Sequence, residues 1–242
     1  MIGVNRFHQH SNNLKRDLVS YFTYDDNDTS GTTLIDVYGN YDATLVNTPT
    51  TSSGGIIKEG YSFDATFSEY LTLGNVPEME NVSAISLNIW FNSSTATGQH
   101  AFIAKYESPA PGSWEIAKNL TQIFWRTWNS SGTQNFLITS SAGLIDGNWH
   151  MLTATYNNGE KYLYFDGGAH NSGWTISASA AAGNIRNTGY DINIARRPYS
   201  GVTVPYDGNL DETALWSGRE ISPEDVTLLW NNGLGLNFKY WT

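Results

Sequence analysis

From Leu14 onward, short apolar runs alternate with clusters of Gly, Asn, Asp and Ser. A turn cluster every ~8–12 residues is the spacing of antiparallel strands in an all-β domain. The segment Ile85–Phe91 shows the pattern most clearly. Ile85, Leu87, Ile89 and Phe91 share one face, and Ser86, Asn88 and Trp90 share the other. Side chains alternate along a strand, so one apolar parity predicts a sheet packed on one side, with Trp90 on the opposite face. Trp149–Tyr156 and Lys161–Phe165 flank Asn157-Asn158-Gly159-Glu160. An Asn-Gly pair between two such runs predicts a tight hairpin, because both residues accept positive φ. Ile116–Lys118 and Thr121–Trp128 read as a further pair of strands, and Asp191–Ala195 and Asn209–Trp216 close the series.

One segment departs from period two. Ser222 suits an N-cap, Pro223 the first helical position and Asp225 the third. Val226, Leu229 and Trp230 then form an i, i+3, i+4 stripe, and Gly233 is a stop signal. This predicts one short C-terminal amphipathic helix packed on the sheets. Residues Met1–Asn13 are polar and non-periodic, and they read as an N-terminal arm ahead of a single domain from 14 to 242. No repeat or linker divides that domain.

Composition narrows the function. A chain of 242 residues buries about 70% of its unfolded surface, enough for a core without staples, and it has no cysteine. The net charge of −10 repels a phosphate backbone, and no basic stripe is present, so nucleic acid is not an expected partner. No run of about 18 apolar residues predicts a membrane span. The leading segment has no apolar core of a signal peptide.

Several segments, in order, resemble one family. Leu18–Phe22 with Asp25 resembles its opening strand and acidic turn, and Asp36–Asn40 its Asp-x-Ser-Gly-Asn turn. Tyr61-Ser62-Phe63-Asp64 with Tyr70–Leu73 is similar to its F-D-G … Y-V-x-L pair. Gly147–Tyr156 with Leu163–Gly167 resembles its central W-H-x-V-A … L-Y-V-D-G hairpin. Gly208–Glu212 resembles G-x-I-D-E-V, and Trp230–Gly233 its closing L-Y-N-N-G. The chain resembles the concanavalin A-like lectin/glucanase superfamily, in its laminin-G-like jelly-roll branch. The resemblance implies an all-β, two-sheet antiparallel sandwich with one short C-terminal helix, and it covers nearly the whole chain. Ala65 in place of the usual Gly and Thr213-Ala214 in place of a valine depart from the pattern.

The resemblance also nominates chemistry. Related jelly rolls hold one structural calcium near the Asp of the G-x-I-D-E motif. Transferred here, that implies Asp211 with Asp25, Asp26 or Asp28, while the alternative is a strand-end Asp that accepts backbone amides. Laminarinase-type enzymes of this fold carry an E-x-D-x-x-E strand that brings two carboxylates together. This chain has no such string, so no catalytic residue is assigned and the expectation is binding without catalysis. Exposed aromatic rings stack on sugar faces. The candidate ligand residues are therefore Trp90, Tyr106, Trp114, Trp125, Arg126 and Trp128, and the alternatives are a second core or an interface in a homo-oligomer. A lectin-like fold without an export segment suggests a virion surface protein of a bacteriophage, a capsid decoration, head fibre or tail protein. It would dock on other virion proteins through the arm and bind glycans. The rival expectation is an extracellular carbohydrate-binding module of a secreted or cell-surface bacterial protein.

Overall fold

The computed structural model describes residues 14–107, 109–119, 121–141, 143–169, 175–177, 182–199 and 201–241. The arm Met1–Asn13 lies outside the described residues. The chain opens with β1 (Leu18–Phe22), β2 (Thr29–Ser30), β3 (Thr33–Leu34), β4 (Ala43–Val46), β5 (Thr50–Ser52), β6 (Gly60–Phe63) and β7 (Tyr70–Asn75). The middle contributes β8 (Ala84–Asn92), β9 (Gln99–Lys105), β10 (Trp114–Asn119), β11 (Gln122–Trp128), β12 (Gln134–Ser140), β13 (Trp149–Asn157) and β14 (Glu160–Phe165). Then follow β15 (Gly168–Ala169), β16 (Thr175–Ser177), β17 (Asp191–Ile194), β18 (Arg196–Tyr199), β19 (Val202–Pro205), β20 (Gly208–Ser217) and the helix α1 (Pro223–Trp230).

Two antiparallel sheets form the sandwich. One has 8 strands in the order β15-β14-β13-β8-β20-β6-β5, with β1 also paired to β20. The other has 10 strands in the order β16-β12-β11-β10-β9-β17-β7-β4-β3-β2. β18 and β19 make a separate hairpin. Sequence neighbours such as β7 and β8 sit in different sheets, the interleaving of a jelly roll. The Asn157–Glu160 turn closes β13 on β14 as a two-residue loop, with Asn158 at φ 48° and Gly159 at φ 103°.

The main core lies between the sheets. Ile85, Leu87, Ile89 and Phe91 from β8 meet Ile116, Ile123, Trp125 and Ile194 from the other sheet. The opposite face of the 8-stranded sheet carries a second core. Trp90, Met151, Tyr164, Ala214 and Trp216 pack there under Leu14, Val226, Leu229 and Trp241. The helix reaches this site with its expected start: the Ser222 side chain accepts from Asp225 N–H, and Asp225 returns the bond. It stops earlier than Gly233, because Asn231 (φ 46°) and Asn232 (φ 56°) leave helical geometry first. No described helix is long and apolar enough to cross a membrane.

Candidate functional site

Among the described residues, α1 and the C-terminal residues cover the outer face of the 8-stranded sheet, whereas the outer face of the 10-stranded sheet carries a pocket. Strand parity decides what it displays. In β7, Leu71 and Leu73 enter the main core, so Thr72 points outward, while Tyr70, partly buried against the edge of that core, also borders the outer face. In β17, Ile192 and Ile194 go in, so Asp191 and Asn193 point out. β17 pairs with β7, placing Asn193 opposite Thr72. These side chains, with Glu107, Tyr190, Arg196 and Pro198, line a pocket of about 270 Å³.

The wall that carries Tyr190 and Asp191 is fixed from behind. Buried Glu80 accepts from Thr188 N (2.7 Å), Thr188 Oγ1 (3.0 Å) and Gly189 N (3.0 Å), and it pairs with Lys105 at 3.6 Å. Lys105 donates to Asn75 Oδ1 at 2.6 Å and to the Tyr190 carbonyl. Burial lowers the Lys105 pKa, and Glu80 pulls it back up. A fully satisfied buried network of this kind rigidifies what it holds. The loop behind the pocket is therefore preorganised.

The other wall is the β18–β19 hairpin. Val204 packs on Ala101, Ala117, Phe124 and Ile138 of the sheet. Arg197 is buried and donates through Nη1 to both Glu115 carboxylate oxygens at 3.1 Å, while Arg126 Nη1 reaches Glu115 Oε1 at 2.8 Å. Burial raises the Glu115 pKa against the opposing pull of the two guanidinium groups. The pair clamps the hairpin to β10 and β11. Beside it, Tyr106 and Trp128 pack at 4.5 Å between ring centroids, with the Arg126 guanidinium 5.9 and 5.7 Å from those two rings.

Tyr106, Arg126 and Trp128, expected from the sequence as ligand residues, thus do come together on the outer face. Arg126 keeps 23% of its side chain exposed, whereas Trp128 and Tyr106 are buried beneath it at 4% and 7%. Three other expected ligand residues require correction. Trp114 and Trp125 have the opposite parity in β10 and β11 and are fully buried in the main core. The Trp114 indole N–H donates to Met79 O in the turn before β8, and that of Trp125 to Thr155 O across the sandwich. Trp90 does lie on the outer face of its strand, as its parity predicts, but that face is covered. The Trp230 ring stacks on it at 5.0 Å and 13°, leaving Trp90 2% exposed. The pocket residues were missed. Alternation in Tyr70–Leu73 and Asp191–Ile194 was the available signal, because it turns polar side chains outward on adjacent strands.

The expected calcium set is also rearranged. Asp211 is fully buried, and its Oδ2 accepts from Ile56 N (2.8 Å) and Ile57 N (3.2 Å), while Oδ1 accepts from Glu212 N (2.8 Å). Burial pushes its pKa well up against these three amides. Asp25 pairs with the Lys58 ammonium at 2.5 Å and accepts from Glu59 N. Asp26 and Asp28 accept from the Thr51 and Thr23 hydroxyls. A cation needs converging oxygens, and here N–H and ammonium donors occupy Asp211 and Asp25. This set does not fit calcium. No cluster of three or more His, Cys, Asp or Glu suited to a metal exists among the described residues.

Comparisons with known proteins agree with this architecture. A laminin-G family model described as "Concanavalin A-like lectin/glucanases superfamily" matches residues 64–227. No curated protein sequence matches. Among solved structures, the binding domain of Paraclostridial Mosquitocidal Protein 1 has a TM-score of 0.67 at 14% identity, covering 90% of this chain and 53% of that chain. The receptor binding domain of botulinum neurotoxin mosaic serotype C/D has a TM-score of 0.65 at 14% identity, covering 90% and 51%. Domain 4 of AbnA, a GH43 extracellular arabinanase from Geobacillus stearothermophilus solved with arabinotriose, has a TM-score of 0.61 at 15% identity, covering 91% and 98%. The chain thus spans about half of the two toxin chains and nearly all of the arabinanase domain. With the family match extending over more than half of its residues, on a two-sheet antiparallel jelly roll, the chain belongs to the concanavalin A-like lectin/glucanases superfamily.

Proposed function

We propose that this domain recognises carbohydrate on the outer face of its 10-stranded sheet and does not cleave it. The observation that carries the reading is the polar pocket between β7, β17 and β18, which combines the Tyr190 ring with Arg196, itself packed on Tyr70, and with Asn193, Asp191 and Glu107. Sugars need both kinds of lining: flat rings for their C–H faces, and polar groups that fix their hydroxyls. Domain 4 of AbnA, the fold neighbour solved with arabinotriose, supports the same ligand class. Calorimetric titration with arabinotriose, together with a glycan array, tests the reading. Retention of an oligosaccharide that is recovered intact is the expected result. Failure to retain any sugar, or recovery of shortened sugar, refutes it.

We place the domain on a virion surface, as a decoration, head-fibre or tail protein of a bacteriophage, docked through Met1–Asn13 with the pocket turned outward. That segment is polar and non-periodic in sequence, a composition suited to contacts with a partner surface. The second reading is a carbohydrate-binding module of a secreted or cell-surface bacterial protein, favoured by the 98% coverage of the arabinanase domain. Antibody labelling of particles and culture supernatants in electron micrographs separates the two.

A further inference from the structure

Resting on that carbohydrate reading, the pocket lining also points to the kind of sugar it accepts. The Arg196 guanidinium carbon lies 4.1 Å from the Tyr70 ring centroid. The guanidinium packs on that ring, and its buried Nε has no hydrogen-bond partner among the described residues. Glu107 and Asp191 stand on the same pocket with exposed side chains, and neither carboxylate is engaged by a hydrogen bond or ion pair among the described residues. One guanidinium thus faces two carboxylates, on a chain whose net charge is −10.

This mixture discriminates. A sugar that bears its own carboxylate brings it into a pocket that Glu107 and Asp191 line together with Arg196. Two like charges on the pocket wall act against such a ligand. An uncharged sugar meets no such penalty. Its hydroxyls donate to the two carboxylates and accept from the guanidinium and from the Asn193 amide, and charge-assisted bonds of this type are the stronger class. Adjacent hydroxyls on one ring supply a donor and an acceptor at close spacing. The fixed wall behind Tyr190 and Asp191 removes the ordering cost that a mobile site would add.

We propose that the pocket selects neutral pentose or hexose units through vicinal hydroxyls and excludes sialylated and uronate-bearing glycans. An array carrying neutral pentose and hexose oligosaccharides beside sialylated and polyuronate ones tests the class. Calorimetry with the best-retained neutral oligosaccharide and with trigalacturonate then tests the residues, with urea midpoints confirming that each variant is folded. The expected result is retention of neutral sugars alone. Arg196→Ala then weakens the neutral ligand by about tenfold to a hundredfold. Glu107→Gln/Asp191→Asn, both changes at exposed positions, weakens it too and admits trigalacturonate. Stronger retention of acidic than of neutral glycans overturns the inference while leaving carbohydrate recognition standing. So does full affinity in both variants when Trp128→Ala abolishes binding. Retention of no glycan by the unaltered protein overturns both.

Discussion

Replacing Trp90 with Ala separates a structural from an adhesive role for the outer face of the 8-stranded sheet. The indole is 2% exposed and stacked on Trp230 at 5.0 Å, within a cluster that also contains Met151, Trp216 and Leu229. Truncation withdraws about 150 Å² of apolar surface from burial, worth roughly 4 kcal/mol at about 25 cal/mol per Å². Loss of the offset stack adds about 1 kcal/mol. The sum sits near the range of about 3–5 kcal/mol for a buried Trp→Ala change. With a urea m-value of about 3 kcal/mol per M, the midpoint falls by about 1.3–1.7 M. Equilibrium unfolding in urea measures it, and glycan affinity at low denaturant is expected to stay unchanged. Trp90→Phe, which keeps a ring against Trp230, should lose less. A midpoint shift below about 0.3 M, or a loss of glycan binding in a folded variant, refutes the assignment of Trp90 to a second core.

Asp211 and His150 give two further tests. Because N–H donors hold both Asp211 oxygens, a chelator should leave the melting temperature unchanged, and Asp211→Ala, which orphans those amides, should cost several kcal/mol, on the order of 3. A melting temperature that rises with added calcium contradicts this. His150 bridges Asp166 (Nδ1, 2.8 Å) and Asp146 (Nε2, 3.1 Å), and its pKa is raised, chiefly by the bond to Asp166. A raised folded-state pKa contributes stability that is complete below the unfolded value of 6.5 and fades as pH climbs through the folded value. Stability should therefore decline as pH rises above 6.5, and His150→Gln should flatten that slope; an NMR titration placing the imidazole at or below 6.5 would contradict it.

Much of this fold was legible along the chain because strand structure writes a period-two pattern. β8 and the β13–β14 hairpin follow from alternation and from the Asn158-Gly159 turn, and the capping box of α1 follows from Ser222, Pro223 and Asp225. Order-specific motifs such as Gly208–Glu212 carried the family. Parity along a strand says which side chains share a face, but not what lies above that face. Trp90 and Arg126 each sit on an outer parity, yet α1 and Trp241 cover the first sheet while the second retains an open pocket. Nor does one strand disclose its neighbours. Thr72 and Asn193 lie more than a hundred residues apart and become adjacent through the pairing of β7 with β17. Two of the three donors around Asp211 come from Ile56 and Ile57, again remote in sequence. Local pattern fixed each strand's two faces, whereas long-range pairing and the placement of α1 decided which face became core and which remained a site.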